Sequence, residues 1–254
     1  MTFCNPGYGP VCGLGIYSVL RAVTVQRTRE VSAITTGAKM IGKLVLTAIN
    51  RLVNNIILGR VRNNLVYKDD FVRNSSLELV AYEIFEKKLL GCVAELGVFR
   101  GEFAQLINTL FPERKLYLFD TFEGFDHRDV KIEIENGFST AKKQDYYNSS
   151  VDLVLDKMKY PESCIVKKGY FPETITDVEE KFVFVSIDVD LYEPIYNGLL
   201  FFYPRLQHGG YIFVHDYNNI SFGGAKAAVQ KFAREFNISY FPLSDGCGTA
   251  VFVK

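Results

Sequence analysis

The 254-residue chain has no excess of either charge, with 29 Lys and Arg against 29 Asp and Glu. Nucleic-acid binders carry a broad positive field, so nucleic acid is not an expected partner. The five cysteines (Cys4, Cys12, Cys92, Cys164, Cys247) are scattered, with no C-x-x-C pair. They offer neither a zinc pattern nor a disulfide framework, which suits a reducing compartment. No apolar run approaches the roughly 20 residues that span a bilayer. The opening M-T-F-C-N-P-G-Y-G-P lacks the basic n-region of a secretory signal. These absences predict a cytoplasmic protein. A 48% hydrophobic content over this length can fill one large core, alone or with an appendage.

What is present centres on residues 92–101, C-V-A-E-L-G-V-F-R-G. An apolar run leads through Glu95 into Gly97 and Gly101, followed by Phe103, Leu106, Ile107 and Leu110 at helical spacing. A buried strand that turns through glycines into a helix presents backbone N–H groups at the carboxyl edge of an open α/β sheet. The spacing is E-x-G-x-x-x-G, not the G-x-G-x-x-G of a dinucleotide fingerprint. That favours the nucleoside pocket of an S-adenosylmethionine enzyme over an NAD-dependent oxidoreductase. On this stretch alone, an ordinary strand–turn–helix with two convenient glycines stays open.

Upstream, apolar residues from Ile34 through Val45, Ile49 and Leu52 to Ile56 mark one face of a helix over 34–58. Lys39, Lys43 and Arg51 occupy the other side, and no acid occurs between Glu30 and Asp69. Such a basic amphipathic helix packs on the main domain, joins two subunits as a homo-oligomer, or lies on an anionic membrane surface. Residues 1–66 therefore read as an N-terminal extension and 67–254 as the main domain. Ser75-x-x-Glu78 reads as a capping box for a helix lying over the sheet; its start either sits near the pocket, with Arg73 and Asn74 available to a carboxylate, or only covers the sheet. Residues 115–120 form a second strand ending in Asp120, where nucleotide-binding α/β folds use an acid for the ribose hydroxyls. Phe122 and Gly124 follow beside it. Residues 126–150 lack sustained periodicity and read as a lid or specificity loop.

A third strand over 164–169 runs into Gly169, Tyr170 and Phe171, whose rings are placed to meet an adenine. The strongest buried-strand signal is 182–188, followed by a helix from Pro194 and a strand over 211–214 ending in His215-Asp216. A helix from Gly224 and two closing strands, 238–243 and 249–253, complete the chain. The alternation predicts a mostly parallel sheet with one antiparallel strand. Glu95, Asp120, Asp188 and Asp216 then converge on one crevice, which is costly unless cationic ligands or hydrogen bonds meet them. The ammonium, sulfonium and ribose diol of S-adenosylmethionine suit such a crevice.

Taken in order, A-E-L-G-V-F-R-G, L-F-D-T-F-E-G-F, K-G-Y-F-P-E-T, I-D-V-D-L-Y-E-P, Y-P-R-L-Q-H-G-G-Y-I-F-V-H-D-Y and a late S-D-G resemble the macrocin O-methyltransferase family over residues 67–254. The resemblance implies an α/β, Rossmann-like class I methyltransferase fold with a seven-stranded sheet and helices on both faces. It implies S-adenosylmethionine-dependent methylation of a hydroxyl on a small-molecule or glycan acceptor, in the manner of sugar hydroxyls in macrolides. Glu95, Gly97 and Gly101 would shape the methionine end of the cofactor site. Asp120 and Phe122 would lie at the ribose, and Gly169, Tyr170 and Phe171 at the adenine. A divalent metal, magnesium by its preference for oxygen, would be held by Asp188, His215 and Asp216. The family has Asp where this chain has His215, which opens a second role for that histidine, as general base. A non-catalytic S-adenosylmethionine- or nucleotide-sugar-binding protein is the reading from another class.

Overall fold

The computed structural model describes residues 63–68 and 70–254, with four isolated helical, exposed positions upstream: Val45, Ala48, Ile49 and Leu52. The rest of the helix expected over 34–58, with its membrane or subunit contact, lies outside the described residues. Two units divide at Arg62 and Asn63, and the fold below is that of the second. Among the described residues, no helix is long and apolar enough to cross a membrane.

Seven strands form one sheet: β1 Cys92–Leu96, β2 Leu116–Asp120, β3 Cys164–Lys168, β4 Phe182–Ile187, β5 Leu206–Val214, β6 Phe241–Leu243 and β7 Thr249–Val253. Their order is β3-β2-β1-β4-β5-β7-β6, parallel except for β7, which opposes both of its neighbours. The helices are α1 Phe71–Glu86, α2 Glu102–Leu110, α3 His127–Glu135, α4 Val151–Leu155, α5 Tyr192–Arg205 and α6 Gly223–Phe236. This is the expected Rossmann-like α/β architecture, with the last strand reversed.

The centre of the sheet follows from β4, whose six residues F-V-F-V-S-I are all buried. Phe182, Val185 and Ile187 enter a core with Phe119, Phe202 and Phe252. Val183 and Phe184 enter the opposite core with Leu77, Leu106 and Phe213. Two consecutive residues share that face because the register slips between Phe182 and Phe184. Each such side chain contributes roughly 1.5–3 kcal/mol on burial, so the two cores can carry the cost of a polar edge. The chain leaves β1 towards β2 and β3, then returns to place β4 on the other side of β1. The sheet therefore has its topological switch point between β1 and β4, where ligands enter open α/β sheets.

Several boundaries differ from the sequence expectations. Helix α1 starts at Phe71, because Asp70 accepts the N–H groups of Val72 and Arg73, both at 3.1 Å. Ser75 is thus inside the helix, its hydroxyl donating to the Val72 carbonyl, and the capping box does not form. The segment read as a lid loop contains α3, capped by Asp126. Helix α5 begins at Tyr192, two residues before Pro194, with the Tyr192 N–H donating to Glu133 of α3 at 2.6 Å. β5 starts at Leu206 rather than at residue 211, and β6 is only three residues long.

Candidate active site

A cavity of about 700 Å³ opens at the carboxyl edge of β1, β2, β4 and β5. Its floor is the turn after β1. The Gly97 N–H donates to the Phe119 carbonyl at 2.9 Å, and the Asp188 N–H donates to the Leu96 carbonyl at 2.8 Å. These bonds draw the ends of β1, β2 and β4 together. Gly97 has φ +87°, and a Cβ there would lie 2.0 Å from the Asp188 carbonyl oxygen. Only glycine fits. Glu95 lines the cavity and is 1% exposed, and its Oε2 has no hydrogen-bond partner within the protein. Burial pushes its pKa well above the usual carboxylate range. A buried carboxyl with an orphan oxygen, beside a turn closed to any side chain, fits the ammonium end of S-adenosylmethionine.

Asp120 lines the same cavity, yet its carboxylate already works inside the protein. Oδ2 accepts the N–H groups of Val98 and Phe99, both at 2.8 Å, and Oδ1 accepts that of Phe122 at 2.6 Å. Burial raises its pKa while these three amides pull it down. A carboxylate offers about four lone-pair sites, which leaves one for a ribose hydroxyl. Phe122 and Gly101 do not reach the cavity wall. Phe122 is buried in the core, and the open side of Gly101 faces Val154 and Met158.

Gly169, Tyr170 and Phe171 all border the cavity, but the two rings do different work. Phe171 is buried, edge-on to Phe119 at 5.8 Å and stacked on Phe202 at 6.1 Å. Tyr170 lies under the Arg128 guanidinium at 3.5 Å and donates its hydroxyl to Asp129 at 2.9 Å. Burial lifts Asp129 to a pKa of about 7.

At the other end, Asp188, His215 and Asp216 come together as expected. His215 donates Nδ1–H to Asp188 Oδ1 at 3.0 Å and to Asp216 Oδ2 at 2.9 Å. Burial works to lower the histidine pKa, but the Asp188 charge and the hydrogen bonds to both acids outweigh it and raise it to about 10. Burial would raise Asp188, and Arg73 and His215 instead hold it far below the usual range. Asp190 and Asp216 both adopt left-handed backbone, each at φ 59°. Strain of this kind collects at functional sites. Burial and the neighbouring acids keep Asp190 protonated well above the usual range.

Asp190, Asp129 and Asn219 were missed as cavity residues. Arg73, expected at a helix start either near the pocket and open to a carboxylate or merely covering the sheet, does meet a carboxylate, and it is one of the protein's own. Arg73 is 6% exposed and donates to Asp188 Oδ2 at 2.8 Å and to Ser186 Oγ at 3.0 Å.

These contacts bear on the metal expected at Asp188, His215 and Asp216. Asp188 gives its oxygens to Arg73 and His215, and Asp216 gives its own to His215 and to Asn219 at 2.8 Å. Magnesium needs several oxygens converging on one point at roughly 2.0–2.1 Å. Among the described residues, two groups bring ligand atoms within 4.8 Å of one another and could hold a metal ion, His215–Asp216–Cys247 and Asp70–His215–Asp245; Asp188 joins neither, and both mix nitrogen or sulfur with oxygen. The residues present do not fit magnesium.

The macrocin-O-methyltransferase (TylF) family model matches residues 72–254. A Streptomyces olivaceus 8-demethyl-8-(2,3-dimethoxy-alpha-L-rhamnosyl)-tetracenomycin-C 4'-O-methyltransferase is 22% identical over 197 residues, 71% of this chain and 72% of that protein. The demethyldecarbamoylnovobiocin O-methyltransferase of Streptomyces niveus is 24% identical over 173 residues, 62% of this chain and 63% of that one. Among solved structures, the calicheamicin methyltransferase CalS11 superposes with a TM-score of 0.59 at 19% identity, covering 81% of this chain and 85% of its own. At that identity the likeness speaks for the fold.

Proposed function

The chain belongs to the macrocin-O-methyltransferase family, and from that premise we propose that it methylates a sugar hydroxyl on a glycosylated small molecule. The enzyme class, an S-adenosylmethionine-dependent O-methyltransferase, comes with the family. The sugar acceptor is our reading, supported by a relative whose name specifies methylation at a rhamnosyl 4'-oxygen. The observation that carries the reading is one cavity, at the switch point of the sheet, lined by Glu95, Asp120 and His215 together.

When bound, S-adenosylmethionine supplies an electrophilic methyl group on its sulfonium. Glu95 holds the ammonium end, and the remaining lone pair of Asp120 takes a ribose hydroxyl. His215 spends Nδ1 on the two aspartates, so Nε2 is the atom left to receive the acceptor hydroxyl's proton as the oxygen attacks. The two acids fix the ring and stabilise its charged form, the role a buried carboxylate plays beside a catalytic histidine. In-line displacement then depends mainly on alignment, which side chains locked by hydrogen bonds supply. Because the resting ring is protonated, it serves as base only after losing a proton to solvent.

The test is turnover of S-adenosylmethionine against a panel of rhamnosides and other deoxysugar glycosides, with product mass and position assigned by NMR. Methyl ether formation on a sugar hydroxyl is the expected result. Methylation confined to phenolic or catechol acceptors would refute the sugar assignment and leave the enzyme class standing.

A further inference from the structure

We propose that the Arg73 guanidinium supplies the fixed positive charge at the acceptor end of the cavity, and that methyl transfer in this chain needs no magnesium ion. The inference rests on the reading of this cavity as the methyl-transfer site.

Arg73 is locked in place. Its Nη1 and Nη2 bind Asp188 and Ser186 at 2.8 and 3.0 Å, and its guanidinium carbon lies 3.8 Å from the centre of the Phe103 ring. The turn that carries it is pinned as well. Asp70 caps α1 through Oδ1 and accepts the Gly246 N–H through Oδ2 at 2.5 Å, tying the helix start to the loop between β6 and β7. A guanidinium keeps its charge at any working pH. It takes one oxygen of the acid that a metal would need first, and like charge repels a dication from the space beside it.

The same geometry answers the cost of gathering acids at this edge. Asp188 has a guanidinium and an imidazole for partners, and Asp216 has the imidazole and the Asn219 amide. Neither acid requires a metal as counter-charge. Arg73 is then a positioning residue. It holds Asp188, and Asp188 holds His215.

The experiment titrates the full chain with manganese(II), read by electron paramagnetic resonance, in the presence and absence of S-adenosylhomocysteine. Affinity for S-adenosylhomocysteine is measured by calorimetry on the same samples. Wild type should bind S-adenosylhomocysteine and show only free manganese. Arg73→Gln, which empties the cation's place while keeping a polar side chain, should gain a bound manganese signal that Asp188→Asn in the same background removes. Arg73→Lys should remain silent. Stoichiometric manganese on wild type, displaced by magnesium, would overturn the inference and leave the cofactor reading intact. A folded Arg73→Gln that stays silent would overturn the claim that Arg73 fills the cation's place. If Arg73→Gln does not fold, the wild-type titration decides by itself. Failure of wild type to bind S-adenosylhomocysteine would instead sink the cofactor reading, whatever manganese does.

Discussion

Replacing Gly97 by alanine puts a methyl group where the backbone of the next strand already lies. The new Cβ would stand 2.0 Å from the Asp188 carbonyl oxygen, 2.6 Å from its carbon and 2.7 Å from Val189 Cγ1. Those first two atoms are backbone, so no rotamer change relieves the contact. The Asp188 N–H is held by the Leu96 carbonyl at 2.8 Å, and β1 and β4 pair in parallel register up to Leu96 and Ile187. The strands therefore cannot separate without breaking the ladder at the switch point. A left-handed φ on a non-glycine residue costs about 1–3 kcal/mol, and overpacking adds about 1–3 kcal/mol. For a domain of this size each kcal/mol lowers Tm by about 2–4 °C, so a fall of roughly 4–24 °C is expected in differential scanning fluorimetry. Calorimetry with S-adenosylhomocysteine should show weakened binding even well below Tm, because Gly97 and Asp188 both line the cavity. A Gly97→Ala protein with unchanged Tm and unchanged affinity would refute the close approach.

Three further outcomes follow from the same geometry. With His215 raised to a pKa of about 10, kcat/KM should climb roughly tenfold per pH unit from about pH 7 to about pH 9. A plateau from about pH 7.5 would mean a histidine titrating near its ordinary value of about 6.5. The sign for stability is opposite: a raised folded-state pKa stabilises fully below about 6.5 and is lost as pH rises through about 10. The Tm gap between wild type and His215→Asn should therefore shrink on going alkaline. Glu133→Ala removes the acceptor of the Tyr192 N–H from a fully buried position. It should cost about 0.5–2 kcal/mol as a lost helix cap, read as a lower urea midpoint, and an unchanged midpoint would deny Glu133 that role.

Much of this site could be read from the chain because its signals are local. β4 is a continuous apolar run buried on both faces, and acids at the ends of β1, β2 and the β4–α5 turn mark one edge of the sheet. Helix α3 escaped because V-K-I-E-I-E alternates like a strand, and two of the residues it buries are the acids Asp129 and Glu133. The capping box at Ser75 misled because an acid five residues earlier captures the first amides of the helix. Phe171 carried the right residue type in the right turn, yet tertiary packing drew the ring into the core. Arg73 could be read as a cation near the pocket, but its partner could not. Its partner Asp188 is 115 residues away, and only the strand order brings them together. That contact also changes the chemistry, since acids that looked unpartnered in sequence have cations and amides beside them in the fold.

The central claim is that the switch-point cavity holds S-adenosylmethionine by way of Glu95. It is tested most directly by isothermal calorimetry of S-adenosylhomocysteine and of NAD on wild type and Glu95→Gln, with Tm and circular dichroism as controls for folding. A hydrogen bond to a charged group contributes about 1.5–3 kcal/mol, which corresponds to roughly a tenfold to 150-fold change in affinity. The account predicts binding of S-adenosylhomocysteine but not NAD, and a loss of that size in a Glu95→Gln protein that stays folded. Tight binding of NAD, or undiminished S-adenosylhomocysteine affinity in the folded variant, would contradict it.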